Sequence, residues 1–150
     1  MVHAHQIWSK RIMTFDNQKP TTEMLGRWQP WHPGHTALFK KALLETGQVC
    51  IMVRDVGGIV GKDAGANRTS TAQDDNPFDY TKVWRDIVKS LEAEGFEENK
   101  DFHIMLVPNI VDISYGRGVG YTFTEHDLGE EIHSISATEI RAKLRAEGKL

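Results

Sequence analysis

Two uninterrupted apolar runs constrain this chain most: QVCIMV at residues 48–53 and FHIMLV at 102–107. A strand with one wet face alternates apolar and polar residues. A strand apolar throughout must be covered on both faces, which is the condition inside a parallel sheet. The intervening segments have the other period. HTALFKKALLETG carries Leu38, Ala42 and Leu43 with lysines between them and Gly47 at its end, so it predicts an amphipathic helix. Tyr80, Val83, Trp84, Ile87, Val88 and Leu91 trace one face of a second helix, with Tyr80 and Trp84 assigned to the core. TTEMLG at 21–26 is a short strand candidate, and Pro108 ends the last apolar run. Strands alternating with helices predict a single α/β domain across residues 1–150, a parallel sheet with helices on both faces.

The remaining segments are read more coarsely. Residues 56–76 are polar, glycine-rich and aperiodic, and are expected to form a mobile surface loop. Residues 109–120 are irregular, and YTFTE at 121–125 is a candidate edge strand. In SATEIRAKLRAEGKL, Ser136 stands three residues before Glu139, the spacing of a capping box at a helix start. Cys50 is the sole cysteine, so it cannot form an intramolecular disulfide, and its apolar run predicts a buried structural thiol.

The net charge of −3 gives no basic surface for nucleic acid, so an anionic partner must be held locally. No stretch approaches the roughly 20 apolar residues of a membrane span. The first fifteen residues lack the apolar centre of a signal peptide, so the expected location is cytoplasmic.

The decapeptide GRWQPWHPGH at 26–35 is denser in Trp, Pro and His than a turn requires. It opens a predicted helix, whose first backbone N–H groups and partial positive charge suit a phosphate. Pro33 fixes the turn, and Gly34 lets the backbone approach closely. His32 and His35 then face the same anion as donors, meeting charge that grows on a departing phosphoryl oxygen. Arg27 offers a forked donor to a further phosphate. At the other end of the chain, Ser136 and Thr138 add donors at a second helix start, and Arg141 lies one turn in. Ligands of parallel sheets bind at the carboxyl ends of strands, where helices begin. Arg54 and Asp55 end a buried strand at that edge and are acceptor-binding candidates, as is Arg117 in YGRGVGY. Trp28 and Trp31 are expected to pack beneath the turn.

Other signatures fail. YGRGVGY has Tyr121 where a dinucleotide fingerprint needs its third glycine. GGIVGKD has Gly61-Lys62, but Val56 and Asp63 stand where a P-loop needs Gly and Ser or Thr. The histidines lack a Cys pair or a third partner for zinc, so no protein metal site is expected.

GRWQPWHPGH before a helix, with ISATEIR near the far end, resembles the HxGH nucleotidylyltransferases. Within them the form of the first motif is most similar to the archaeal-type nicotinamide mononucleotide adenylyltransferases, and Asn76-Pro77-Phe78 resembles a short family segment opening the next helix. The resemblance spans roughly residues 21 to 145. It implies a Rossmann-like fold of the HUP type and attack of a substrate phosphate on the α-phosphorus of a nucleoside triphosphate. Pyrophosphate leaves, and no covalent enzyme intermediate forms. It implies His32, His35 and Arg141 as catalytic, with Gly26, Arg27, the Trp28 backbone, Gly34, Ser136, Thr138 and Arg141 holding the nucleotide. ATP is favoured over CTP, with Mg²⁺ carried by the triphosphate, a small phosphorylated metabolite as acceptor, and a homo-oligomeric assembly.

The chain departs from the archaeal pattern after the second strand, with Val53-Arg54-Asp55-Val56-Gly57 in place of a Gly-Ser-Ala-Gln-like turn. It also carries a shortened later segment, so the resemblance does not name the acceptor. The alternatives are a cytidylyltransferase acting on a phosphorylated alcohol and a nucleotide-binding module without catalysis. A class I aminoacyl-tRNA synthetase shares the turn but needs a longer chain and a KMSKS-like loop.

Overall fold

The computed structural model describes residues 14–57, 76–118 and 120–150. Three parallel strands, β1 (Thr22–Gly26), β2 (Val49–Arg54) and β3 (Phe102–Val107), lie side by side in chain order. Helix α1 (Pro33–Thr46) connects the first pair and α2 (Tyr80–Glu92) the second. A single turn, α3 (Glu130–His133), and a last helix, α4 (Ala137–Ala146), follow β3. The chain is α/β, a small parallel sheet flanked by helices.

The register aligns Thr22, Val49 and Phe102, then Met24, Ile51 and Ile104 two residues on. Because side chains alternate across a strand, these residues share one face. Met24, Val49, Ile51, Val53, Phe102 and Ile104 are buried there against Phe39 and Ala42 of α1 and Val83, Ile87 and Leu91 of α2. Both crossovers step in the same direction along the sheet, and right-handed crossovers then put both helices on the same side. The expected helical layer on each face is therefore found on one face among the described residues.

On the other face Leu25, Cys50 and Met52 are half-buried and Met105 is exposed. The expectation that residues 48–53 are covered equally on both sides is corrected accordingly, and so is the full burial of Cys50. Its thiol is nonetheless pushed up in pKa, first by burial and then by the charge of Glu23, its ladder neighbour. That keeps the sulfur protonated, the state of a structural thiol rather than a nucleophile.

Helix ends follow their sequence signals. Gly47 closes α1 with φ 94°, donating its N–H to the Leu43 carbonyl. Asp79 caps α2 through the Lys82 N–H, and Ser136 caps α4 through the Glu139 N–H. Residues 121–125 form no strand, contrary to expectation. Tyr121 and Phe123 are exposed, and the Phe123 ring lies 5.4 Å from Tyr115 in the irregular segment rather than against a sheet edge. The limits of the expected 56–76 loop also tighten, because Val56 and Asn76 are both buried. Residues 58–75, with Gly61-Lys62, and the first thirteen residues lie outside the described residues. Among the described residues no helix is long and apolar enough to cross a membrane.

Phe39 is the core's keystone, fully buried with ring centroids 5.1 Å from Phe96 and 5.9 Å from Phe102, both edge to face. Phe39→Ala is expected to cost about 3–5 kcal/mol of stability. In urea this reads as a lower midpoint with an unchanged slope.

Candidate functional site

The site grows from the end of β1. A Cβ on Gly26 would lie 2.8 Å from the Trp28 ring, so only glycine lets the indole fold back over the strand end. Trp28 itself turns the chain with φ 54° and donates its indole N–H to the Met52 carbonyl at 3.1 Å. The Gln29–Pro30 peptide is cis. Trp31 donates to the Thr36 hydroxyl at 2.9 Å. The two indoles, 5.0 Å apart, sit 4.8 and 5.4 Å from the His35 ring. Both tryptophans are buried, packed beneath the turn as expected.

The histidines form a stacked pair, ring centroids 3.6 Å apart and nearly parallel. The Gly34 N–H donates to His32 Nδ1 at 3.0 Å, and the His32 N–H donates to His35 Nδ1 at 3.1 Å. A neutral imidazole carries one proton. With each Nδ1 accepting, the proton of each ring belongs on Nε2. His35 is pushed down to about 3, chiefly by burial and then by the charge of His32. Burial also lowers His32, against a raising backbone hydrogen bond. At neutral pH the pair is uncharged and presents two Nε2–H donors of fixed tautomer.

One expectation changes here. The Gly34 N–H is spent on His32 Nδ1, and those of His35 and Thr36 on the His32 carbonyl. These backbone amides are therefore committed within the turn rather than open to an anion, contrary to expectation. Gly34 is required for a different contact than the one expected. A Cβ there would lie 2.8 Å from His32 Cε1 and 3.6 Å from the Ile132 carbonyl of α3, displacing the ring.

Arg141 joins the far end of the chain to this turn. It is 3% exposed and donates from Nη1 to the Gln29 carbonyl at 2.6 Å, across 112 residues of sequence. Its Nη2 donates to the Thr138 hydroxyl at 3.3 Å. Thr138, at the start of α4, is thereby linked through Arg141 to the backbone entering the histidine turn.

Gln29 is the residue whose role sequence reading missed. Its side-chain amide donates to the Phe78 carbonyl and accepts from the Phe78 N–H, both at 2.9 Å, as a strand neighbour would. This clamps the turn to Asn76-Pro77-Phe78. Asn76, also buried, accepts from Arg27 Nη1 at 2.9 Å. The sequence signal was a glutamine between two aromatic residues, but its partner lies 49 residues away.

Arg54 is buried and donates from Nη2 to the Asn109 side chain at 2.8 Å. Burial and then the charge of Arg27 lower its pKa. It borders a cavity of about 290 Å³ shared with Gln29, Asp55, Asn76, Phe78 and Leu106. Arg117 is exposed, and among the described residues no hydrogen bond or ion pair ties it to the turn. Lys40 pairs with Glu94 at 2.6 Å on the outer surface. Among the described residues no three His, Cys, Asp or Glu side chains converge as a metal set. Comparison with family models, curated proteins and solved structures returned no match.

Acid should expose the buried imidazole. His35 is neutral when folded down to about pH 3 and protonates near 6.5 when unfolded, so its contribution is intact above 6.5 and lost as pH falls toward 3. Urea midpoints are expected to drop across that window, with a slope approaching 1.4 kcal/mol per pH unit at most. The slope should flatten in His35→Asn.

Proposed function

We propose that this chain is a nucleotidylyltransferase of the HxGH type. It transfers a nucleoside monophosphate unit, from ATP in preference to CTP, to a small phosphorylated acceptor and releases pyrophosphate. The observation that carries the reading is the buried bond from Arg141 to the Gln29 carbonyl, three residues before His32. It brings two motifs from opposite ends of the chain to one place. The likeness of those motifs to the archaeal-type nicotinamide mononucleotide adenylyltransferases supports the same reading and, with the parallel sheet, a HUP-type fold. The enzyme so described works in the cytoplasm as a homo-oligomer, without nucleic acid or membrane.

The chemistry asks little covalent work of the protein. An oxygen of the acceptor phosphate forms a bond to the α-phosphorus as the bond from that phosphorus to the bridging oxygen breaks. The bridging oxygen keeps the electron pair and leaves as pyrophosphate. Negative charge grows on the leaving group, and this is what the Nε2–H donors of His32 and His35 are aimed to meet. With His35 backed by two indoles and both rings already fixed in tautomer, they need no reorganisation as the charge develops. Being neutral, they donate without giving up a proton that acid would have to restore.

Arg141 supplies the positive charge, with Ser136 and Thr138 beside it, while Gly26, Arg27 and the Trp28 backbone hold the nucleotide from the β1 side. Mg²⁺ enters on the triphosphate, keeping most of its waters.

His35→Ala should lower the rate of pyrophosphate release by about 10²–10³ with little loss of nucleotide affinity, as removal of one transition-state donor does. Release at the wild-type rate would refute that role. Arg141→Lys keeps the charge but loses the fork, and should weaken triphosphate binding in calorimetry. The decisive screen offers ATP and CTP to the protein with a panel of phosphorylated metabolites. A chain that binds ATP yet releases no pyrophosphate with any acceptor is a nucleotide-binding module and not an enzyme.

A further inference from the structure

The sheet face turned away from α1 and α2 gathers the softest donor atoms of the described residues. Register pairs Cys50 with His103 and Met52 with Met105 across β2 and β3. Residues two apart share a face, so these four stand at the corners of one patch, opposite Val49, Ile51, Phe102 and Ile104. The sheet sets its sides, about 4.8 Å between strands and about 6.6 Å along each. A thiol, an imidazole and two thioethers are thus brought side by side. Cys50 is the chain's sole cysteine, and two of its five methionines are here. Cys50, Met52 and His103 are half-buried and Met105 is 40% exposed, so the patch opens at the Met105 corner.

His103 is held as a ligand would be. Its Nδ1 lies 2.9 Å from Asn99 Oδ1, an oxygen that only accepts, so the ring proton sits on Nδ1 and the lone pair on Nε2. Such a partner on the other ring nitrogen is the usual support of a metal-bound histidine. Asn99 keeps its place in a left-handed turn at φ 64°, donating its N–H to the Phe102 carbonyl at 2.6 Å. Phe15 packs on the same imidazole, ring centroids 5.6 Å apart.

We propose that Cys50, Met52, His103 and Met105 form a binding site for a soft monovalent cation, Cu⁺. Thiolate and thioether sulfur select Cu⁺, and imidazole suits copper as well. None of the four supplies the oxygen ligands that Mg²⁺ or Ca²⁺ requires. The carboxylate in register, Glu23, flanks Cys50 on β1 and adds a negative charge beside the patch. Two of the donors are methionines, so a metal set built from His, Cys, Asp and Glu alone does not contain this one. Binding exchanges one ion for one proton. The Cys50 S–H bond breaks, sulfur bonds to Cu⁺, and the proton passes to water with no change of oxidation state. A coordinated thiol is deprotonated outright, although the free thiol holds its proton. The site needs neither nucleotide nor turnover, so it stands or falls apart from the transfer reaction.

The test titrates the full chain with Cu⁺, reduced and free of oxygen, against the chelator bicinchoninate, while NMR follows the methionine methyls. One equivalent is expected to bind and to shift Met52 and Met105, leaving Met24, buried on the opposite face, in place. Cys50→Ser should abolish competition with the chelator. Asn99→Gly tolerates the left-handed turn, removes the imidazole's partner and should weaken binding about 10–100-fold. Met52→Leu and Met105→Leu conserve volume and remove a ligand outright, so each should cost at least about tenfold. Met105 is exposed, so its leucine variant retains the fold even where Cys50→Ser does not. Zn²⁺ at the same concentration should leave both methyls unmoved.

A wild type that takes no Cu⁺ from the chelator, binding retained in Cys50→Ser, or unchanged affinity in both leucine variants would each overturn the site. Equal methyl shifts with Zn²⁺ would overturn its selectivity for a soft ion. Pyrophosphate release that depends on His35 would survive every one of these failures.

Discussion

The structure depends on one buried contact, the Arg141 guanidinium on the Gln29 carbonyl. A charge this deeply buried is costly unless hydrogen bonds satisfy it, and breaking such an arrangement strands either the charge or the carbonyl. The contact therefore fixes where α4 docks, and with it Ser136 and Thr138. It also holds the backbone entering the histidine turn. Gln29 is held a second time through its side chain, by the backbone of Phe78. One residue thus joins three distant pieces of chain, which is why the turn has a single geometry.

Above that anchor the histidines gain their character from what they are denied. Two indoles and the neighbouring imidazole enclose His35, and burial lowers the pKa of both rings, so charging either imidazole is unfavourable. Backbone N–H groups occupy both Nδ1 atoms, so both protons sit on Nε2. Burial lowers the pKa values, while the backbone hydrogen bonds fix the tautomer. A helix start that spends its own amides on its histidines has exchanged backbone donors for side-chain donors.

Charge is arranged differently on the neighbouring strand end. Arg27 and Arg54 sit close enough for each to feel the other's field, and neutral amide oxygens help to orient them. The histidine turn is a site of neutral donors. The adjoining cavity mixes charges, with Arg54 beside Asp55 and Asp79 in its wall. The two meet at Gln29.

Much of this was legible in the sequence. The apolar runs marked β2 and β3, and β3 begins and ends where the run does. Gly47, Asp79 and Ser136 marked helix ends because capping is a local interaction between a residue and its own next turn. The composition of residues 26–35 marked the turn, and Trp28 and Trp31 pack as their size demanded. The helix layer was misjudged because the sheet runs in chain order, so both crossovers fall on one face and leave Cys50 and Met52 half-covered.

YTFTE alternates like a strand but has no edge to pair with. Gln29, Asn76 and Asn109 were invisible as clamps, since their partners lie 49 to 55 residues away and long-range pairing leaves no periodic trace. The chain by itself determined which residue types stand at the strand ends, because local hydrogen bonding and side-chain volume act within a few residues. Only the tertiary fold decided that Arg141 reaches Gln29 and that Arg54 lies beside Arg27, because contact across such distances is set by how the sheet and helices pack.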